Sequence, residues 1–119
     1  MGDRGNIVIR YENNPAKQIC FYTHSYGSYL GSVVRRALSR RQRWDDWAYL
    51  ARIIFCEMVK GYEGEEIGFG ISLDVCDNEH DLLIVDVDAK KIIRESEDGG
   101  VKESWTFEQF VSAKPIDPW

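Results

Sequence analysis

Two stretches of this chain carry the residue types best suited to chemistry. The first is His24-Ser25-Tyr26-Gly27-Ser28, between a run that reads as a strand and one that reads as a helix. A helix N-terminus presents unpaired N–H groups and about half a positive charge, so it can hold a phosphate. Ser25 and Ser28 add hydroxyl donors, Gly27 lets the backbone come close, and Tyr22, Tyr26 or Tyr29 can stack on a base. The Gly-x4-Gly-Lys-Ser/Thr signature of a P-loop is absent. The competing reading is that Ser28 merely caps the helix while the tyrosines face the core.

The second stretch is basic. Five of the nine residues 35–43 are arginine (Arg35, Arg36, Arg40, Arg41 and Arg43), in a chain of net charge −5, and the run ends at Trp44-Asp45-Asp46. Guanidinium groups offer planar, bidentate donors to carboxylates and phosphates. If a helix ran that far, Arg36, Arg40 and Arg43 would lie near one outward line. Nucleic-acid binders are usually basic domains, so the acidic balance points to an acidic protein partner instead. The plain alternative is a solvated face paired with nearby acids.

Other candidates are weaker. Asp74, Asp77, Glu79 and Asp81, followed by Asp86 and Asp88, lack EF-hand spacing, although Asp86 and Asp88 at i, i+2 would share a strand face. Cys76 and His80 form a lone C-x3-H pair, and Cys20, Cys56 and Cys76 show no CxxC spacing. Reduced, buried cysteines are therefore expected, with no metal and no cofactor. No Ser-His-Asp or Cys-His arrangement can be argued, and Gly68-Phe69-Gly70 lacks the third glycine of a dinucleotide fingerprint.

The elements that must position these residues follow from periodicity. At 119 residues with 44% hydrophobic content, the chain reads as one domain able to bury a core. Residues 1–5 read as a loosely held lead-in. The proline-containing tail 114–119 cannot continue a helix, and its Trp119 is expected to pack on this chain or on a neighbouring subunit. Residues 6–11 and 18–23 read as a hairpin. Helices are expected over Tyr29–Arg40, with Ser28 as N-cap, and from Asp45 or Asp46 to Val59, stopped by Lys60-Gly61. Strands follow over residues 67–73, 82–87 and 91–95, then a helix over Phe107–Ala113 capped by Thr106. The order β-β-α-α-β-β-β-α predicts a single α+β domain, a mainly antiparallel sheet with two helices on one face. No uninterrupted apolar run exceeds five residues, far short of the ~20 that a membrane span needs. With no signal-peptide pattern, a cytoplasmic protein is expected.

Gly2-Asp3-Arg4 with Asn6, Tyr22-Thr23-His24, Trp44-Asp45-Asp46, the segment from Ala51 to Met58, Gly68-Phe69-Gly70-Ile71-Ser72, and Asp77-Asn78-Glu79-His80 running into Leu83-Ile84-Val85-Asp86-Val87 together resemble a family of small proteins from bacterial, phage and prophage genomes. The resemblance covers roughly residues 2–90 and carries over no activity or functional residue. It implies a phage-associated setting, where small proteins act by binding: they block host defence proteins or sequester signalling nucleotides. The leading expectation is thus a non-enzymatic, phage-type inhibitor, acting in the host cytoplasm if phage-encoded. It would contact an acidic host defence or regulatory protein through Arg35, Arg36, Arg40, Arg41, Arg43 and Trp44. The alternative is a protein that binds a nucleotide or other phosphorylated molecule at His24, Ser25, Tyr26, Gly27 and Ser28. A homodimer is expected from the separated basic and acidic segments and from the tail.

Overall fold

The computed structural model describes residues 2–114 and 119. Gly5–Arg10 (β1) and Gln18–Thr23 (β2) form the hairpin, paired antiparallel from Gly5↔Thr23 to Arg10↔Gln18. A 3-10 turn, Gly27–Tyr29, leads into Leu30–Ser39 (α1), and Trp47–Val59 (α2) follows. Then come Phe69–Ser72 (β3), Leu82–Asp86 (β4), Lys91–Glu95 (β5), Val101–Thr106 (β6) and Phe107–Ser112 (α3). The fold is α+β, with one strand, β6, that the sequence pattern did not predict. The sheet order is β3-β2-β1-β4-β5-β6. Every neighbouring pair is antiparallel except β1 and β4, which run parallel, so the sheet is mixed rather than purely antiparallel.

The helix ends have local causes. The Asp46 carboxylate accepts from the N–H groups of Ala48 (3.2 Å) and Tyr49 (3.3 Å), which opens α2. Gly61, at φ 88°, lies just beyond its last turn. Thr106 and Gln109 form a reciprocal capping box on α3. Ser28 does not cap α1 as expected; it sits inside the 3-10 turn. α1 also stops at Ser39, and Arg41 and Arg43 adopt left-handed φ of 54° and 60°. The projected line Arg36–Arg40–Arg43 is therefore broken after Arg40.

All three helices pack on one sheet face. Ile7, Ile9, Phe21, Leu83, Val85 and Ile92 point to that side and meet Leu30, Val34, Leu38, Leu50, Ile54 and Phe107 in one core cluster. The opposite face buries Val8, Cys20 and Ile84. Its cover follows from topology. β3 lies outside β2 while β4 lies beyond β1, so the β3–β4 connection must cross two strands. Asn6, fully buried on that back face, ties the crossing segment down. Its amide donates to the Cys76 carbonyl (3.2 Å) and to Asn78 Oδ1 (3.3 Å), and it accepts from Cys76 N (3.1 Å). Burial also pushes the Cys20 thiol up to about 11, helped by Cys76 and Asp74 nearby, so it is inert packing. Cys56, expected to be buried in α2, is exposed.

Trp119 is 3% exposed and folds onto its own chain. Its indole donates to the Asp81 carbonyl (2.9 Å), its N–H to the Ser28 carbonyl (2.8 Å), and Arg94 stacks on its ring. The rest of the expected tail, 115–118, lies outside the described residues. The other three tryptophans are likewise packed inside the chain: Trp44 on Phe107, Trp47 on Tyr11, and Trp105 on Phe110 and Trp119. Among the described residues, no helix is long and apolar enough to cross a membrane.

Candidate functional site

The loop after β2 is built around Asp3. Asp3 N donates to the His24 carbonyl (2.7 Å), Gly27 N donates to the Asp3 carbonyl (2.7 Å), and Ser28 N donates to Asp3 Oδ2 (3.0 Å). His80 Nε2 meets the other carboxylate oxygen. Burial alone would raise the Asp3 pKa, but the bonds from His80 and Ser28 outweigh it and hold the carboxyl below its usual value. Residues 2–5, read from sequence as a loose lead-in, thus make a strap, and Arg4 and Glu79 bond reciprocally beside it. Gly27 is required here: a Cβ would stand 2.7 Å from the His80 ring and 2.8 Å from the Asp3 carbonyl oxygen. The consequence is chemical. Of the N–H groups proposed for a phosphate, that of Ser28 already faces a carboxylate of the same chain and that of Gly27 a backbone carbonyl.

The loop's aromatic residue turns elsewhere. Tyr26 packs against Tyr62, ring centroids 5.1 Å apart, and stacks with Phe69 at 6.1 Å. A hydrogen bond donated to Tyr62, with burial second, pushes the Tyr26 phenol up. This tyrosine pair is a wall shared by two clefts. One, of about 380 Å³, is lined by Tyr22, His24, Ser25, Tyr26, Tyr62 and Phe69 among others. The second, of about 510 Å³, is lined by Tyr26, Tyr29, Arg36, Glu57, Met58, Lys60 and Tyr62 among others. The structure therefore brings the two sequence-predicted sites together: His24, Ser25 and Tyr26 from the loop, and Arg36 from the arginine run. Gly27 and Ser28 stay with the Asp3 strap.

The remaining arginines are engaged within the chain. Arg35 Nε donates to the Ala113 carbonyl (2.9 Å). Arg40 donates to Glu57 Oε1 (2.7 Å). Arg41 pairs with Glu108 and lies over Trp44, while Arg43 lies over Tyr49, 4.5 Å from the ring centroid. Arg36 differs. Its Nε stands 3.6 Å from Glu57 Oε2, too far for a hydrogen bond, and its side chain is 55% exposed.

Glu57 is the residue that sequence reading missed. Only 6% exposed, it sits in the buried stripe of α2, seven residues after Leu50, where an apolar side chain would be usual. Its Oε2 has no hydrogen-bond partner among the described residues. Burial acts to raise its pKa, but the Arg40 hydrogen bond and the charges of Lys60, Arg40 and Arg36 outweigh it and lower the value. Lys60 has no acidic side chain within ion-pair distance among the described residues. The second cleft is thus lined by two cations, Arg36 and Lys60, and one buried carboxylate, to which Arg40 is bonded.

The acidic cluster disperses. Asp81 pairs with Arg94 (2.9 Å) and Lys102 (3.0 Å), and Asp86 Oδ1 accepts from Ala89 N in the turn after β4. Asp88 falls in that turn, so the two acids do not share a strand face. Among the described residues, no group of three or more His, Cys, Asp or Glu could hold a metal ion. Comparison with family models, with curated proteins and with solved structures found no match to this chain.

Proposed function

We propose that the chain is a non-enzymatic binding protein that holds a phosphorylated, ring-bearing small molecule of the nucleotide class in the cleft between Tyr29, Tyr62, Arg36 and Lys60. The observation that carries this reading is that two cations without a hydrogen-bonded acid of their own open on the same cleft as two exposed tyrosines, Tyr29 at 57% and Tyr62 at 40%. A guanidinium and an ammonium hold a phosphate. An exposed phenol ring offers a stacking face to any base. The unfilled acceptor on Glu57 would take a ring N–H or a ribose hydroxyl, since a buried carboxylate oxygen left without a donor is costly. This moves the phosphate from the helix N-terminus, where Asp3 stands, to Arg36 and Lys60. In the phage setting implied by the sequence resemblance, holding a signalling nucleotide without turning it over would be the output.

The arginine run as a docking surface for an acidic host protein has less support, because Arg35, Arg40, Arg41 and Arg43 are engaged within the chain. Thermal-shift titration with mononucleotides and cyclic nucleotides tests the ligand reading. The wild type should be stabilised, Arg36→Ala and Lys60→Ala should lose most of the shift, and Arg43→Ala should keep it. No shift at millimolar ligand, or an equal shift in all variants, would remove the reading.

A further inference from the structure

The sheet has two edges, and they are built differently. β6 carries Lys102 and Glu103 and meets β5 across a register shift at Arg94/Glu95. Charges and irregular register are the usual protections against addition of a foreign strand. β3 has neither: Phe69-Gly70-Ile71-Ser72 is uncharged and pairs with β2 in unbroken register.

The direction of its main-chain groups can be worked out. His24 N donates to the Gly68 carbonyl (2.9 Å). In an antiparallel ladder, bonded and non-bonded pairs alternate. Gly68, Gly70 and Ser72 therefore face β2, and Phe69 and Ile71 direct their N–H and C=O groups to the open edge. The side chains of Phe69 and Ile71 lie on the helix side of the sheet, opposite Thr23 and Phe21. The helices do not cover this margin: Ile67, Ile71 and Leu73 remain 84%, 63% and 70% exposed. Free ladder groups beside an apolar row, on one strand, suit an extended peptide.

The flanking charges select its chemistry. Glu63, Glu65 and Glu66 precede the strand, and Asp74 and Asp77 follow it. None has a basic side chain within ion-pair distance among the described residues. A second copy of the chain is a poor occupant: antiparallel self-pairing centred on Gly70 sets Glu66 against Asp74, and like charges directly opposite destabilise a pair. We propose that β3 docks an extended segment of a partner protein, with alternating aliphatic side chains between lysines or arginines at both ends, as a seventh strand. This edge lies on the far side of Phe69 from the Tyr26–Tyr62 wall of the Arg36–Lys60 cleft, and it uses main-chain groups that the cleft does not, so either can fail without the other.

The probe is a synthetic nonapeptide, alternating valine and threonine between two lysine pairs, titrated into the full chain and followed by NMR and amide hydrogen exchange. Saturation should protect the Phe69 and Ile71 amides and leave those of β6 unchanged. Replacing the peptide's lysines with glutamates should weaken binding by roughly tenfold or more, and added salt should weaken the lysine peptide. Ile71→Pro removes an outward N–H that an edge strand can lose, so a folded Ile71→Pro chain should not bind; Ile71→Lys, which adds repulsion to the same edge, covers the case where the proline unfolds it. Millimolar lysine peptide without effect at β3, equal binding of the glutamate peptide, or full binding to the Ile71 variants would overturn the proposal. So would β3 amides already protected in the free protein at a mass twice 13.8 kDa, which would assign the edge to a second copy.

Discussion

At the scale of single residues, the pair Arg40–Glu57 decides how the arginine run is to be understood. The clustering of cations was legible because it needs only composition and spacing. Their acceptors were not: Ala113, Glu57 and Glu108 are brought to them by tertiary structure. Arg40→Ala leaves a 6%-exposed carboxylate without the one hydrogen bond it makes among the described residues, so it should destabilise the fold by about 1–3 kcal/mol. Arg43→Ala, which removes a surface ring contact, should stay within about 0.5 kcal/mol. Urea unfolding of the two variants at neutral pH checks the contrast. The same pair sets a pH response. Glu57 and Asp81 both have lowered folded values, against ordinary values of 4.5 and 3.8. For each, burial opposes the shift; the Arg40 bond together with the charges of Lys60, Arg40 and Arg36 outweighs it at Glu57, and the bonds and charges of Arg94 and Lys102 outweigh it at Asp81. A lowered folded value means stability that is fully present above the ordinary value and lost as pH falls through the lowered one. The urea midpoint should therefore hold at neutral pH and decline below about pH 4.5, and the decline should be shallower in Arg40→Ala.

At the scale of elements, strands and helices with strong apolar periodicity were readable: β2 and β5 keep their predicted bounds, and α2 opens at Asp46 and stops at Lys60-Gly61. β6 was not readable, because an edge strand with exposed residues on both faces leaves no alternation of burial. The Asp3 strap was not readable either, since its partners Ser28 and His80 lie far along the chain. The crossing of the β3–β4 connection rests on Asn6, whose side chain is the buried polar tie on the back face. Asn6→Ala leaves the Cys76 N–H and three acceptors, on Cys76, Asp77 and Asn78, without that partner and should cost about 1–3 kcal/mol. Hydrogen exchange should show Cys76 losing protection. Unchanged protection and stability would mean that the segment is held from elsewhere.

At the scale of the whole molecule, aromatic packing ties the last described residue to both helices and sheet. Trp119→Ala should cost about 3–5 kcal/mol, the range for emptying a buried tryptophan site, measured as a lower urea midpoint with unchanged slope. Its burial also removes one motive for the expected homodimer, and the packing of the other tryptophans removes a second. The remaining motive is charge: several basic residues are engaged internally, while the acids beside β3 have no paired cations among the described residues. A monomer of 13.8 kDa at low and high salt is the expected light-scattering result.

In the proposed function, Arg36, Lys60 and the flanking tyrosines hold a phosphorylated ring. The most direct measurement is NMR mapping of a titration with mononucleotides and cyclic nucleotides, on the wild type and on an Arg36→Ala/Lys60→Ala variant. Perturbed amides are expected at Tyr29, Lys60 and Tyr62, with little change at Gly27 and Ser28, and affinity lower by about tenfold or more in the variant. Perturbations centred on the Gly27–Ser28 amides, or none at millimolar nucleotide, would contradict it.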